Sequence, residues 1–171
     1  AAAETENPRA QREVEILRSR SVLGKVVEDL NLMIEYQPRY FPLIGETLAR
    51  KHDKHDGIAK PWWGFSGWAW GGERLKIQQF EVPDRYLDKE FTLVALSDTR
   101  FQLLGPKDQI LAEGELGELV SADMGETAPV HILVSQLDAH PGTEFELKRK
   151  TSLAAIETLQ KAFSVQEVSK D

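Results

Sequence analysis

Cysteine is absent from the 171 residues of this chain. The sequence therefore contains no disulfide framework, no thiolate nucleophile and no thiolate metal site. No run of apolar residues approaches the roughly 20 that span a bilayer. Clusters of basic residues are also lacking, because 21 Lys and Arg are interleaved with 28 Asp and Glu to give a net charge of -7. Since phosphate binding requires a basic surface, we expect no nucleic-acid partner.

Signatures of several enzyme classes are lacking as well. The phosphate-binding pattern G-x-x-x-x-G-K-[ST] does not occur around the glycines of residues 64–72. Ser135 and Ser152 lack the flanking glycines of a nucleophile elbow. The sequence assigns no pair of carboxylates to a shared cleft, so a glycosidase dyad is not indicated. We predict that this segment holds no catalytic residue and no cofactor.

Residues 7–32 predict two consecutive helical segments. Asn7 followed by Pro8 is a helix-start signal, because Asn accepts from free backbone N–H groups and proline fits the first helical position. Apolar residues at spacings of three and four form one stripe, which comprises Val14, Leu17, Leu23, Val26, Val27 and Leu30. Asn31 ends the helix, since Asn tolerates the left-handed conformation.

The middle of the chain predicts strands. A strand over residues 33–36 stops at Pro38, which cannot donate to a sheet ladder, and one or two helical turns follow over residues 43–50. Short apolar runs with turn residues between them then indicate antiparallel strands at 75–82, 91–96, 101–104, 109–114, 130–137 and 144–150. A slip in alternation near Gln78 and Gln79 predicts a bulge. Residues 116–126 predict a loop or a poor edge strand.

A last helix follows the strands. Thr151 or Ser152 is its expected cap, and its expected inward face comprises Leu153, Ile156, Leu159 or Gln160, and Phe163. Residues 164–168 then return to the sheet as a strand. Helices, then strands, then a helix predict an α+β fold, a mainly antiparallel sheet with helices packed on one face. The length predicts a single domain over residues 1–171.

Two clusters could carry chemistry. The first holds metal-ligand types at His52, Asp53, His55 and Asp56. Because Lys51 and Lys54 disfavour a metal there, we interpret it as a solvated loop and predict no metal site. In the strand 130–137, His131 is expected on the face opposite Val130 and Ile132, and His140 is expected in a turn.

The second cluster is aromatic and lies in an irregular insertion over residues 52–72. It comprises Trp62, Trp63, Phe65, Trp68 and Trp70. Five aromatic side chains within nine residues expose a large apolar surface, which we expect to be covered by another part of the protein or by a partner. A small satellite core under the loop is one interpretation, and the alternatives are a sugar-stacking platform, a contact with a neighbouring subunit, or the membrane interface.

Two strings carry a family resemblance. EVEILRSRSVLGKVVEDLNL at residues 13–32 and HPGTEFELKRKTSLAAIETLQKAFSVQEVSKD at residues 140–171 match in order and spacing. Together they resemble the periplasmic region of bacterial tyrosine autokinases of the Wzz-type chain-length determinant family, also called polysaccharide co-polymerases. The resemblance runs from residue 13 to residue 171 and is weakest between residues 52 and 72.

The resemblance implies a Wzz-like membrane-proximal base of an inner-membrane protein of capsule and exopolysaccharide export. In the family a membrane helix lies on each side of this region, so we expect an excised fragment. Parent proteins of the family often carry a cytoplasmic kinase domain with a tyrosine-rich tail, and the sequence leaves open whether this parent has one. Tyr36, Tyr40 and Tyr86 are scattered and do not resemble that tail.

The implied function is control of polysaccharide chain length through oligomeric scaffolding. The implied partners are further copies of the chain, a polysaccharide polymerase and an outer-membrane exporter. Arg18, Arg20 and the tryptophans are the residues that we expect at contacts with a partner, a glycan or a membrane surface. A carbohydrate-binding module is the main alternative, and a hydrolase of cell-surface glycan is a third.

Overall fold

The computed structural model describes residues 8–40, 42, 50, 57–59 and 67–168. The chain divides into two compact units. Residues 1–33 and 150–171 form the helical unit, and residues 34–149 form the sheet unit. The single domain expected over residues 1–171 stays a prediction.

The first helix, α1, is continuous over Pro8–Asp29. The prediction of two segments was wrong. Gly24 interrupts the apolar pattern, but a Cβ placed there would lie 3.7 Å from Cδ1 of Ile156, so the glycine lies at a helix contact within this unit. Asn31 follows with φ 55°, and its left-handed conformation ends the helix as predicted.

The second helix, α2, spans Ser152–Val168. Thr151 is its cap, because its Oγ1 accepts from the N–H of Ala154 at 3.1 Å. The strand predicted over residues 164–168 was wrong, since these residues continue the helix. No proline or glycine interrupts residues 152–168, so nothing local ends the helix there.

The expected inward faces of the two helices were correct in part. Val27 is fully buried and Ile156 half-buried. Leu30 and Leu153 were predicted inward, but they are 65% and 56% exposed. Among the side chains of α2 that are described, over residues 152–162, the buried one is Ala155.

The described residues of the sheet unit form eight strands. They are β1 (Ile34–Pro38), β2 (Arg74–Glu81), β3 (Glu90–Ala95), β4 (Arg100–Leu104), β5 (Ile110–Glu115), β6 (Leu119–Ala122), β7 (Val130–Asp138) and β8 (Glu144–Arg149). All described strand pairs are antiparallel. The α+β fold class is therefore confirmed, and so are the hairpins that join β3, β4 and β5.

Two further predictions about strands are confirmed. The register of β2 against β7 shifts between Lys76 and Gln79, where the sequence predicts a bulge. Strand β6 lies at the edge of its sheet, as expected of the polar run 116–126. The burial of β7 alternates from Val130 onward, which makes it the best-buried strand of that sheet.

The strands form two sheets where the sequence predicts one. Their orders are β1-β8-β3-β4-β5 and β2-β7-β6. Strand β2 does not pair with the next strand in sequence, because Pro83 and a 3-10 turn over Asp84–Tyr86 redirect the chain. Both sheets contribute to one apolar core, in which Phe80 meets Phe91 edge to face with ring centroids 5.3 Å apart.

Candidate functional site

The excursion between β1 and β2 returns to its starting point. We call residues 39–40, 57–59 and 67–73 the tryptophan neck. Tyr40 forms a parallel β-bridge with Ala69, whose N–H donates to the carbonyl of Arg39 at 2.8 Å. The chain that leaves β1 is therefore paired with the chain that returns toward β2.

Two further backbone bonds complete the neck. The N–H of Glu144, at the start of β8, donates to the carbonyl of Gly67 at 3.3 Å. The N–H of Ala59 donates to the carbonyl of Gly71 at 2.8 Å. Separate parts of the insertion are thus joined to each other and to the sheet, although the sequence shows no periodicity there.

Glu73 closes the turn at the end of the neck. Its two carboxylate oxygens accept from the N–H groups of Trp70 and Gly71 at 2.7 and 2.8 Å. Gly72 has φ 83°, and a Cβ there would lie 2.2 Å from the carbonyl oxygen of Gly57. Only glycine fits this position, because backbone rather than a flexible side chain fills the space.

The tryptophans that fall in the described part of the chain are Trp68 and Trp70. Trp70 is 5% exposed and Trp68 is half-buried. The burial of Trp70 agrees with a satellite core at this residue, and it leaves Trp68 as the ring with more surface open to a ligand. Trp62, Trp63 and Phe65 lie outside the described residues, as do His52, Asp53, His55 and Asp56.

An ion cluster that sequence reasoning missed lies beside the neck. Arg39 reaches three carboxylates, with Nη1 2.5 Å from Glu144, Nε 3.3 Å from Glu146 and Nη2 3.5 Å from Glu90. Lys148 lies 3.6 Å from Glu90. We call these five side chains the Arg39 cluster.

Electrostatics favour the charged form of Arg39. Partial burial lowers its pKa, but the charges of Glu144 and Glu146 and their hydrogen bonds raise it, and the net pKa is above its usual value. The available signal in the sequence is the alternation of Glu144, Glu146 and Lys148 in β8. That pattern predicts a polar face on β8, but it does not show that Arg39 is the residue that meets this face.

The other predicted contact residues lie in the helical unit. Arg20 is exposed on α1, and Arg18 belongs to the same helix. The sheet unit contains Trp68 and Trp70. The structure brings these two tryptophans into one neck.

The two remaining histidines lie in β7 and in the turn that follows it. His131 lies half-buried on the face of β7 opposite Val130 and Ile132, as predicted, and its Nδ1 is 2.7 Å from Oγ of Ser121. His140 lies in the turn before β8. Within the described ranges, no three His, Asp or Glu side chains form a group that could hold a metal ion. In that part of the chain, neither helix has the length and hydropathy to cross a membrane.

Comparison with protein families identifies the sheet unit. Residues 34–150 match the family described as "Tyrosine-protein kinase Wzc, N-terminal domain". This chain belongs to that family. The match begins at the first residue of β1 and ends one residue after β8, so it covers the neck and the Arg39 cluster.

Individual relatives extend the similarity into the helical unit. The "Putative tyrosine-protein kinase EpsB" of Ralstonia nicotianae is 36% identical over 94% of this chain and 21% of its own length. The "Tyrosine-protein kinase wzc" of Salmonella typhi is 32% identical over 96% of this chain and 20% of its own length. The chain thus spans about a fifth of the length of the curated relatives that it matches.

One solved structure shows a weak similarity to this chain. FlgL of Xanthomonas campestris aligns with 48% of this chain and 31% of its own, at 11% identity and a TM-score of 0.30. A score at this level carries no argument about the Wzc N-terminal domain.

Proposed function

We propose that this chain is a non-catalytic periplasmic domain of an inner-membrane protein that controls polysaccharide chain length and assists capsule or exopolysaccharide export. The observation that carries the proposal is the match of residues 34–150 to the Wzc N-terminal domain. The parent protein is a tyrosine kinase, because the relatives are named so and this chain spans about a fifth of their length. Its kinase chemistry belongs to another segment.

The mechanism is oligomeric scaffolding. Copies of the domain associate side by side and present a repeated surface to the polymerase, the growing glycan and the outer-membrane exporter. Four large apolar side chains of the helical unit support association, because they are more than half exposed: Ile16, Val22, Leu30 and Leu153. Contact between copies would remove such surface from water.

The contact residues that we propose are Arg18 and Arg20 of α1 in the helical unit and, separately, the tryptophans of the insertion in the sheet unit. Arg20 is exposed and free to meet an acidic group of a partner. The neck supplies a fixed base for the insertion, because backbone bonds at Arg39, Ala59 and Glu144 hold it. A fixed base reduces the entropy that binding would otherwise cost.

The test is the size distribution of surface polysaccharide in cells that carry the full-length parent protein. Deletion of the region coding for residues 7–171 should shorten, scatter or abolish the product, provided that the truncated protein is present in the membrane. A double charge reversal, Arg18→Glu with Arg20→Glu, should also shift the size distribution, because it changes the proposed contact on α1 and leaves the rest of the chain in place. The matched control is Arg100→Glu, which removes an exposed pair with Glu113 on β5. An unchanged distribution in the deletion would overturn the proposed role.

Glycan binding at the tryptophans is the second candidate. It is favoured by Trp68 at the neck, which is half-buried and therefore keeps some surface open to water. All four tryptophans lie between residues 62 and 70, so quenching of intrinsic fluorescence by the cognate polysaccharide would report binding at this segment. Saturable quenching that Trp68→Ala removes supports a carbohydrate-binding module, and its absence favours scaffolding.

A further inference from the structure

Arg39 connects the neck to the sheet through both its backbone and its side chain. Its N–H donates to the carbonyl of Glu144 at 2.9 Å, and its carbonyl accepts from Ala69. Its guanidinium reaches Glu144 and Glu146 on β8 and Glu90 on β3. One residue therefore joins the returning arm of the neck to two adjacent strands.

With Arg39 in place, the Arg39 cluster has three negative and two positive side chains, and loss of Arg39 leaves one positive side chain against three negative ones. Three carboxylates face Arg39 and Lys148 across the outer surface of the sheet. Without the guanidinium, Glu90, Glu144 and Glu146 would repel one another with Lys148 as the remaining cation of the cluster. Repulsion at Glu144 acts directly on the neck, because the N–H of that residue holds the carbonyl of Gly67.

The cluster is open enough to water for salt to act on it. The side chain of Arg39 is 30% exposed, and those of Glu144 and Glu146 are exposed to a similar extent. Charges at this depth are screened by dissolved ions, whereas apolar contacts are not weakened in that way. The core below the cluster contains Phe91, Phe145 and Leu147 and has no such sensitivity.

We propose that the Arg39 cluster is an ionic latch, which positions the tryptophan neck on the five-stranded sheet and loosens it when ionic strength rises or Arg39 is replaced. The neck opens as a local unit while both sheets stay folded, since it is joined to the five-stranded sheet through Arg39 and through the backbone of Glu144. Arg39 acts as a positioning residue for Trp68 and Trp70. This property does not depend on the proposed role in polysaccharide export.

The chain provides its own reporter. All four tryptophans lie in the insertion, so tryptophan emission reads this segment and no other part of the chain. Amide hydrogen exchange read by mass spectrometry can compare residues 67–73 with peptides from β3 and β7 in the same sample. The variants are Arg39→Met, Arg39→Lys and the control Arg100→Met, which removes the pair with Glu113 on the same outer face.

Arg39→Met should raise exchange at residues 67–73 by about tenfold, the equivalent of three part-exposed ion pairs, and shift tryptophan emission. Exchange in β3 and β7 should stay unchanged. Arg39→Lys should give an intermediate value, because it keeps the charge and loses the planar fork. Raising the salt concentration should raise exchange at residues 67–73 in the wild-type protein and lower it in Arg39→Met, because salt screens the ion pairs of the first and the repulsion among the three carboxylates of the second.

Three outcomes would overturn the latch. Equal exchange at residues 67–73 in Arg39→Met and Arg100→Met would show that the neck does not depend on this cluster. Exchange at the neck that is independent of salt would exclude an ionic origin. If exchange in β3 and β7 rises as much as exchange at residues 67–73, Arg39 supports the whole sheet unit rather than the neck. Arg39→Lys, which keeps the positive charge, should then show the same parallel rise.

Discussion

The sheet unit and the helical unit differ in how their described residues bury apolar surface. Phe80, Phe91, Phe101 and Phe145 are fully buried in the sheet unit. In the described part of the helical unit, the buried apolar side chains are Val27 and Ala155. Burial contributes about 25 cal/mol per Å² of apolar surface, so side-chain burial stabilises the sheet unit far more than the described helices.

The comparison shows where local signals matter. A strand in the sheet unit is held by its side chains against a shared core, and its capping and turn residues are secondary. A helix in the other unit depends more on its ends, because few of its described side chains are buried. The loss of stability caused by mutations in the core, at a helix cap and on an exposed helix face should therefore differ between the two units.

The largest effect is expected in the core of the sheet unit. Phe91 is fully buried and meets Phe80 and Tyr86 edge to face. Phe91→Ala should lower the free energy of unfolding by about 3–5 kcal/mol, because it removes a large ring and leaves a cavity. Urea denaturation followed by far-UV circular dichroism measures the loss. Phe91→Leu is the control and should cost less, and a loss below about 1 kcal/mol for Phe91→Ala would contradict the comparison.

A smaller effect is expected at the cap of α2. Thr151→Ala removes the acceptor for the N–H of Ala154 and should destabilise the helix by about 1 kcal/mol. Thr151→Ser keeps the hydroxyl and should behave like the wild type. Amide exchange over residues 152–160 reads the change in the helix, while peptides from β3 serve as reference. Exchange that rises equally in β3 would show that the two units do not unfold separately.

The smallest effect is expected on the exposed side of α2. Leu153→Gln should change stability by less than about 0.5 kcal/mol, since the side chain is 56% exposed. The matched variant is Ile156→Gln, which places a polar group at the half-buried contact with Gly24 and should cost more. The same denaturation measurement ranks the two. If Leu153→Gln lowers the free energy of unfolding more than Ile156→Gln does, Leu153 faces inward as the sequence predicts.

The neck shows the limit of sequence reasoning about the candidate site. Residues 52–72 were identified as irregular, and the density of tryptophans marked them as a region that needs cover. The carboxylate of Glu73 and the positive φ of Gly72 hold the described part in place. Neither residue belongs to a periodic pattern, so neither could be assigned a partner before the chain was folded.

The sequence by itself determined most of the strands, the bulge in β2 and the end of α1 at Asn31. These features depend on local physical causes: alternation selects the face of a strand, and a left-handed residue ends a helix. The sequence also showed the family resemblance, since that resemblance depends only on the order and spacing of residues.

Only the tertiary structure decided which strands pair and which charges meet. It assigned β2 to a sheet with β7 and brought Arg39 to Glu146, which lies 107 residues away in the chain. It also turned Leu153 outward, buried Ala155 and placed Ile156 against Gly24. Such outcomes depend on the shape of distant segments, because an ion pair or a close helix contact exists only after long-range pairing has placed both partners.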